Sequence, residues 1–163
     1  MITTLSIGCL AEPCSWVVKG HGMTISRWLD SLPSDYMTPN EPISFRRTTT
    51  VNKAWGHEIH VINLPEYCGK ILVFRKAASF SLHWHHHKTE TWHVLSGKLN
   101  LTYFDLTVGT TLSKVLIMGD VVHVPAGNPH RLEALEDSQV MEVSTTDRSD
   151  DNYRISPSQA AKT

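Results

Sequence analysis

Residues 78–99 read ASFSLHWHHHKTETWHVLSGKL. His83 and His85 are one residue apart, and in a strand residues i and i+2 point to the same face. Both imidazoles can therefore address one ion. Glu90 follows after four intervening residues, and a turn at 86–89 would return its carboxylate to the same place. Gly97 ends the second run. His85 and His87 form an alternative pair of the same parity; spacing to Glu90 favours His83 with His85. His87 then faces substrate or sits on the loop, and His86 is exposed.

Farther on, residues 119–130 read GDVVHVPAGNPH, a strand, a Pro/Gly turn and another histidine, His130. Three nitrogens and one carboxylate suit a divalent first-row metal and leave coordination positions open. The candidate ligands are His83, His85, Glu90 and His130. The ion is one of Zn, Mn, Fe, Co or Ni, and the donor set does not choose among them. His123 lies seven residues before His130 and is either structural or substrate-facing. His57, His60 and His93 are read as structural or exposed.

The surrounding sequence falls into short apolar-rich runs punctuated by Gly, Pro, Asn and Asp: 57–64, 69–77, 78–87, 90–97, 98–106, 110–117, 120–127 and 139–145. Such runs, rich in Val, Ile, Leu, Thr and aromatics at close spacing, predict an all-β sandwich or barrel. Phe74, Phe80, Tyr103 and Phe104 are assigned to its core, and Trp55, Trp84 and Trp92 to core or rim. Cys68 reads as an ordinary small residue in a turn. Residues 1–45 differ, with scattered Pro and Gly and few apolar alternations. They are read as an N-terminal extension with one short helix at 24–31, stopped by Pro33. The domain occupies 46–155, and 156–163 is expected to be a flexible tail.

With His83-x-His85, four residues, Glu90, six residues and Gly97, the first stretch resembles the first motif of the cupin family. Gly119, Pro125, Gly127 and His130 match the spacing of the second. The resemblance implies an all-β cupin-type double-stranded β-helix, a jelly-roll barrel, holding one divalent metal ion on His83, His85, Glu90 and His130. Within cupins, SLHWHHHKTETWHVLSGKL, VNKAWGHE (51–58), PAGNPHRLE (125–133) and EVSTTDRSDDNYRI (142–155) resemble the type II mannose-6-phosphate isomerase branch. The branch usually carries proline, glutamine, arginine, histidine and asparagine where this chain has Ala54, His83, Lys88, Thr91 and Ala134.

The resemblance implies a sugar or sugar-phosphate isomerase that shifts a proton between C1 and C2. Glu142, His87 and Lys53 are the candidate bases. Arg131, Lys88 and Arg154 are candidates for holding a phosphate, by a guanidinium fork or an ammonium point charge; His123 completes the substrate-binding set. Similar sites in cupins also serve iron-dependent dioxygenases and non-catalytic binding modules, since fold does not fix function.

Composition narrows the partners. Fifteen basic residues against sixteen acidic ones leave a net charge of -1, no surplus for sequence-independent nucleic-acid binding. No apolar run approaches the roughly 18 residues of a membrane span. Cys9, Cys14 and Cys68 are odd in number and form no CxxC pair, which argues against a disulfide framework and for a reducing, cytoplasmic setting. A chain of 163 residues can bury roughly 69% of its unfolded surface in one core. Sheet edges need cover, and a homodimer is expected to provide it.

Overall fold

In the computed structural model, Asp30 and residues 43–161 are described. The chain divides into two units, Met1–Ser44 and Phe45–Thr163. The expected helix at 24–31 lies outside the described residues except for Asp30, which is helical and exposed. The rest of the 1–45 extension also lies outside them, apart from 43–45, which are exposed.

Among the described residues the second unit carries eleven strands in chain order. They are β1 (Thr49–Lys53), β2 (Gly56–Asn63), β3 (Cys68–Phe74), β4 (His83–Trp84), β5 (Glu90–Ser96) and β6 (Lys98–Asp105), then β7 (Thr110–Ile117), β8 (Val121–Val124), β9 (His130–Ala134), β10 (Ser138–Ser144) and β11 (Tyr153–Arg154). All pairings are antiparallel. One sheet has the order β1-β2-β3-β10-β5-β8, the other β11-β4-β9-β6-β7. This two-sheet antiparallel β-barrel is the architecture that the resemblance implied.

Alternation builds the core. On β3, β9 and β10, and on β5 as far as Val94, every second residue is buried, because successive side chains leave a strand on opposite faces. Leu72, Phe74, Trp92, Val94 and Val140 from one sheet meet Leu99, Leu101, Leu116, Leu132 and Ala134 from the other. Trp55 stacks on Phe74 with ring centroids 4.5 Å apart, and Phe80 meets Trp92 edge-on at 6.0 Å. Each fully buried large apolar side chain contributes about 1.5–3 kcal/mol of transfer free energy.

Between β5 and β6 the chain turns at Gly97, whose φ is +84°. A Cβ there would lie 2.2 Å from Ser138 Oγ and 2.5 Å from the Asp137 carbonyl oxygen, so this crossover between the sheets requires glycine.

Four expectations are corrected. The strand expected over 78–87 is confined to His83–Trp84; Ala77 has a positive φ of 60°, Ser79 makes only isolated bridges, and the chain bends at His86 and His87. Phe104 is half-buried rather than core, since Leu99 and Leu101 take the inward parity on β6. Cys68 is a buried strand residue, not a turn residue, and burial pushes its thiol pKa up. Residues 156–161 are not a free tail. Gln159 and Ser79 exchange backbone hydrogen bonds of 2.9 and 3.0 Å, and Ala161 packs against the core.

Candidate metal centre

His130 opens β9, directly opposite His83 on β4. Cross-strand neighbours on one face are close by construction, and the two rings lie 4.6 Å apart, centroid to centroid. His85 comes just past the end of β4. Its backbone carbonyl accepts a 2.7 Å bond from Gly127 N–H, in the turn that leads to His130. Gly127 has φ +82°, the left-handed conformation glycine adopts freely. Glu90 enters from the other sheet as the first residue of β5. One ligand nitrogen from each of His83, His85 and His130 lies within 4.8 Å of the others. Glu90 Oε2 stands 3.1 Å from His130 Nε2, and Glu90 Oε1 stands 3.6 Å from His85 Nε2.

The hydrogen bonds behind the rings fix which nitrogen faces the cavity. Nδ1 of His83 donates to the Ser81 carbonyl at 2.7 Å, Nδ1 of His130 to the Asn128 carbonyl at 2.8 Å, and Nδ1 of His85 to the Asp151 carbonyl. Each Nε2 is left as a lone-pair donor, the arrangement that backs metal-ligating histidines. Burial drives the His83 imidazole down to about 3, helped by His130 beside it; burial also lowers His85.

The chemistry of these atoms tests whether a cation fits. His130 Nε2 and Glu90 Oε2 are both buried and without a hydrogen-bond partner. With Nδ1 carrying the proton, two lone pairs face each other at 3.1 Å. Such a contact is repulsive until a cation sits between them. Three Nε2 atoms and a carboxylate oxygen are a suitable donor set for a divalent first-row ion.

Around the ligands runs a buried network of ion pairs. Lys88 Nζ donates to Glu90 Oε1 and to Glu142 Oε1, both at 2.6 Å, and lies 3.4 Å from Asp147 Oδ1. Lys70 Nζ donates to Asp147 Oδ2 at 2.7 Å, and Glu58 pairs with His60 at 2.7 Å and Lys53 at 3.2 Å. Burial alone would lower Lys88, but Glu142, Glu90 and Asp147 outweigh it and raise its pKa. Burial would raise Glu90, yet the Lys88 ammonium on Oε1 holds it well below the usual carboxylate range. Glu142 is pushed up by burial and then by Glu90, with Lys88 opposing.

These groups line one cavity of about 630 Å³. It holds the four expected ligands together with Glu142, Lys88, Lys53 and Arg154. Three expected site residues lie elsewhere. His87 is exposed and packs on His86, because the chain leaves the strand before it and strand parity no longer applies. Arg131 falls between inward His130 and Leu132 on β9 and so points outward, opposite Thr102. His123 is exposed, bonded to Thr91 at 3.1 Å, beside a separate cleft of about 280 Å³. Lys88 is inside the cavity, but its ammonium is engaged by carboxylates rather than free for a phosphate.

Sequence reasoning missed Lys70, Asp147 and Asp151. Lys70 sits at an inward position of β3, where parity alone marked it. The acidic run after β10, TTDRSDDN (145–152), was the signal for the two aspartates.

The model of the family described as "Cupin domain" matches residues 71–145, a span that contains all four candidate ligands. No curated protein matches the sequence significantly. Among solved structures, oxalate decarboxylase from Bacillus subtilis at pH 4.6 is similar, with a TM-score of 0.63 and 20% identity over 74% of this chain and 34% of that one. A second structure of the Bacillus subtilis enzyme, described by its Mn(II) centers, has a TM-score of 0.62 and 20% identity over 76% of this chain and 35% of that one. The chain thus spans about a third of the length of these structures. Among the described residues no helix is long and apolar enough to cross a membrane.

Proposed function

We propose that the cavity binds one divalent metal ion and catalyses proton transfer between adjacent carbons of a sugar or sugar phosphate, an aldose–ketose isomerisation of the mannose-6-phosphate isomerase type. One observation carries this reading. A buried carboxyl outside the ligand set, Glu142, shares the Lys88 ammonium with the ligand Glu90, each at 2.6 Å.

When bound, the ion would supply Lewis acidity to neighbouring oxygens of the substrate. The Mn(II) centers of the similar Bacillus subtilis enzyme support a first-row metal. That enzyme's reaction is not carried over at 20% identity, because one fold hosts many chemistries.

The chain's own residues do the rest. Glu142 takes the proton from the hydroxyl-bearing carbon beside the carbonyl and returns it to the carbonyl carbon, while the hydroxyl proton passes to the carbonyl oxygen. A carboxyl raised above its ordinary value is better suited to both directions of transfer, and burial and Glu90 raise Glu142. Lys88 holds Glu142 in place, as does Ser144 Oγ, which donates to the same Oε1 at 3.3 Å. Lys53 lines the cavity in an ion pair with Glu58.

Charge pairing also supports an anion subsite at Arg154. Lys53, Lys70 and Lys88 are matched by Glu58, Asp147, Glu90 and Glu142, and Arg148 by Asp150. Arg154 lines the same cavity, is exposed, and makes no ion pair among the described residues. It is the group positioned to take a substrate phosphate.

The test is a panel of hexoses, pentoses and their phosphates with metal-loaded protein in deuterated water, read by NMR. The expected result is aldose–ketose interconversion with solvent deuterium at the transferred position. Glu142→Gln should slow it by about 10²–10⁴-fold. No interconversion and no exchange with any member of the panel would end this reading.

A further inference from the structure

We propose that Asp151 is a positioning residue for the metal centre, holding His85 through its backbone carbonyl and Lys88 through its carboxylate. The inference rests on the metal reading of the site and is independent of the reaction assigned to it.

The turn after β4 has three successive backbone donors, the N–H groups of His86, His87 and Lys88. All three point at one side chain. Asp151 Oδ1 accepts from His86 at 2.6 Å, and Oδ2 accepts from His87 at 3.0 Å and Lys88 at 2.9 Å. The same residue's backbone oxygen accepts from Nδ1 of His85. Asp151 is 3% exposed and lies more than sixty residues downstream of the turn it organises.

Two consequences reach the ligand set. First, the bond to Nδ1 fixes the His85 tautomer and ring orientation, so Nε2 faces the ion. Second, the carboxylate fixes the backbone of Lys88, and the Lys88 ammonium holds Glu90 Oε1 at 2.6 Å. Glu90 then presents Oε2 to the imidazoles. One aspartate thereby orients two of the four ligands without touching the ion. A negative charge that gathers three N–H groups is also a stronger acceptor than any neutral replacement.

The experiment is Co(II) binding by wild type, Asp151→Asn and Thr145→Ala. Thr145 ties the same two segments together, since its Oγ1 accepts from Thr89 N–H at 3.1 Å. It touches neither His85 nor Lys88 in the hydrogen-bond network. Asp151→Asn keeps the backbone carbonyl that holds His85 and removes the carboxylate that fixes Lys88; it should weaken Co(II) binding by about 10-fold, the low end of the range for outer partners of metal ligands, and should change the visible absorption of bound Co(II). Thr145→Ala should leave both readouts at wild-type values. Equal affinity and spectrum in wild type and Asp151→Asn would overturn the inference, as would an equal loss in Thr145→Ala. No Co(II) binding by wild type would remove the metal reading itself and this inference with it.

If Asp151→Asn does not fold, hydrogen exchange on wild type decides. The amides of 86–88 should be protected in metal-free protein and slow further as Co(II) is added. Exchange as fast as in the exposed turn at 107–109, with or without Co(II), would overturn it.

Discussion

At one level of the barrel, Val140 of β10 stands between Leu72 and Val94; two residues along the same strand, Glu142 stands between Lys70 and Trp92. β5, beside β10 in the same sheet, and β9, in the other sheet, change in the same way. β9 runs from His130 to Leu132 and Ala134, and β5 from Glu90 to Trp92 and Val94, all at buried positions. One end of the interior is thus an apolar core and the other a charged one, built on shared strands. Alternation decides which side chains face inward. It does not decide what they are, and the charged end is tolerable only because its acids and ammonium groups are paired.

The largest effect should come from breaking that pairing. Lys88→Met keeps most of the side-chain volume and removes the cation, leaving Glu90 and Glu142 to face each other buried. Removing one partner of a buried pair costs about 3–5 kcal/mol, to be measured by urea unfolding of metal-free protein. A cost under about 1 kcal/mol would mean that the charged end does not depend on its pairing. Next is the apolar end. Leu132→Ala should cost about 2–5 kcal/mol, by lost transfer energy and the cavity left behind. Its metal stoichiometry should stay at the wild-type value. Together the two variants separate stability from binding along a single interior.

Added metal should stabilise the charged end specifically. At a free concentration of 100 times Kd the gain is about 2.7 kcal/mol by mass action. Chelation should reverse it, and His130→Ala should abolish it. Equal thermal midpoints with and without Mn(II), Zn(II) or Co(II) would contradict the proposed site.

Proton concentration distinguishes the two ends as well. The native His83 imidazole titrates near 3 and the unfolded one near 6.5. Between these values the unfolded chain holds a proton that the native chain lacks, so stability rises with pH across that window. Stability of chelator-treated protein should therefore fall as pH drops below about 6.5. His85 is lowered too and acts with the same sign; Glu142, raised by burial and Glu90, acts with the opposite sign, and the two histidines outnumber it. Asp147 and Glu58, held low by Lys70 and Lys88 or by Lys70 and His60 against the effect of burial, add their loss only below about pH 4. Urea midpoints at pH 7.5, 6 and 5 measure the first part; equal midpoints would refute it.

The legible part of this molecule is the part carried on strands. The separation of His83, His85 and Glu90, and the turn before His130, specify a local geometry that needs no long-range information. The apolar run at 110–117 marks β7 at its observed bounds. β1 gives no such signal because all five of its residues are exposed, and an edge strand without a buried face has no alternation to show. β9 is hidden by its length of five residues. The misplacement of His87 and Arg131 has one origin. Parity extends too far for the first, which lies beyond the strand, and is neglected for the second, whose neighbour His130 already occupies the inward position. Asp151 is illegible because its role depends on a backbone turn sixty-odd residues earlier, and neither segment signals the other locally.

Arg154 gives the smallest effect and the sharpest division between stability and recognition. Its side chain is exposed on the two-residue strand β11 and makes no ion pair among the described residues, so Arg154→Ala should change stability by less than about 0.5 kcal/mol. If the guanidinium receives a substrate phosphate, the same variant should raise KM for phosphorylated sugars and leave KM for unphosphorylated ones unchanged. A uniform rise for both would place Arg154 in general substrate binding rather than phosphate recognition. No rise for either would move the phosphate away from this wall of the cavity. Lys88 cannot take over that role without releasing Glu90 and Glu142, because every carboxylate contact that holds its ammonium would have to break.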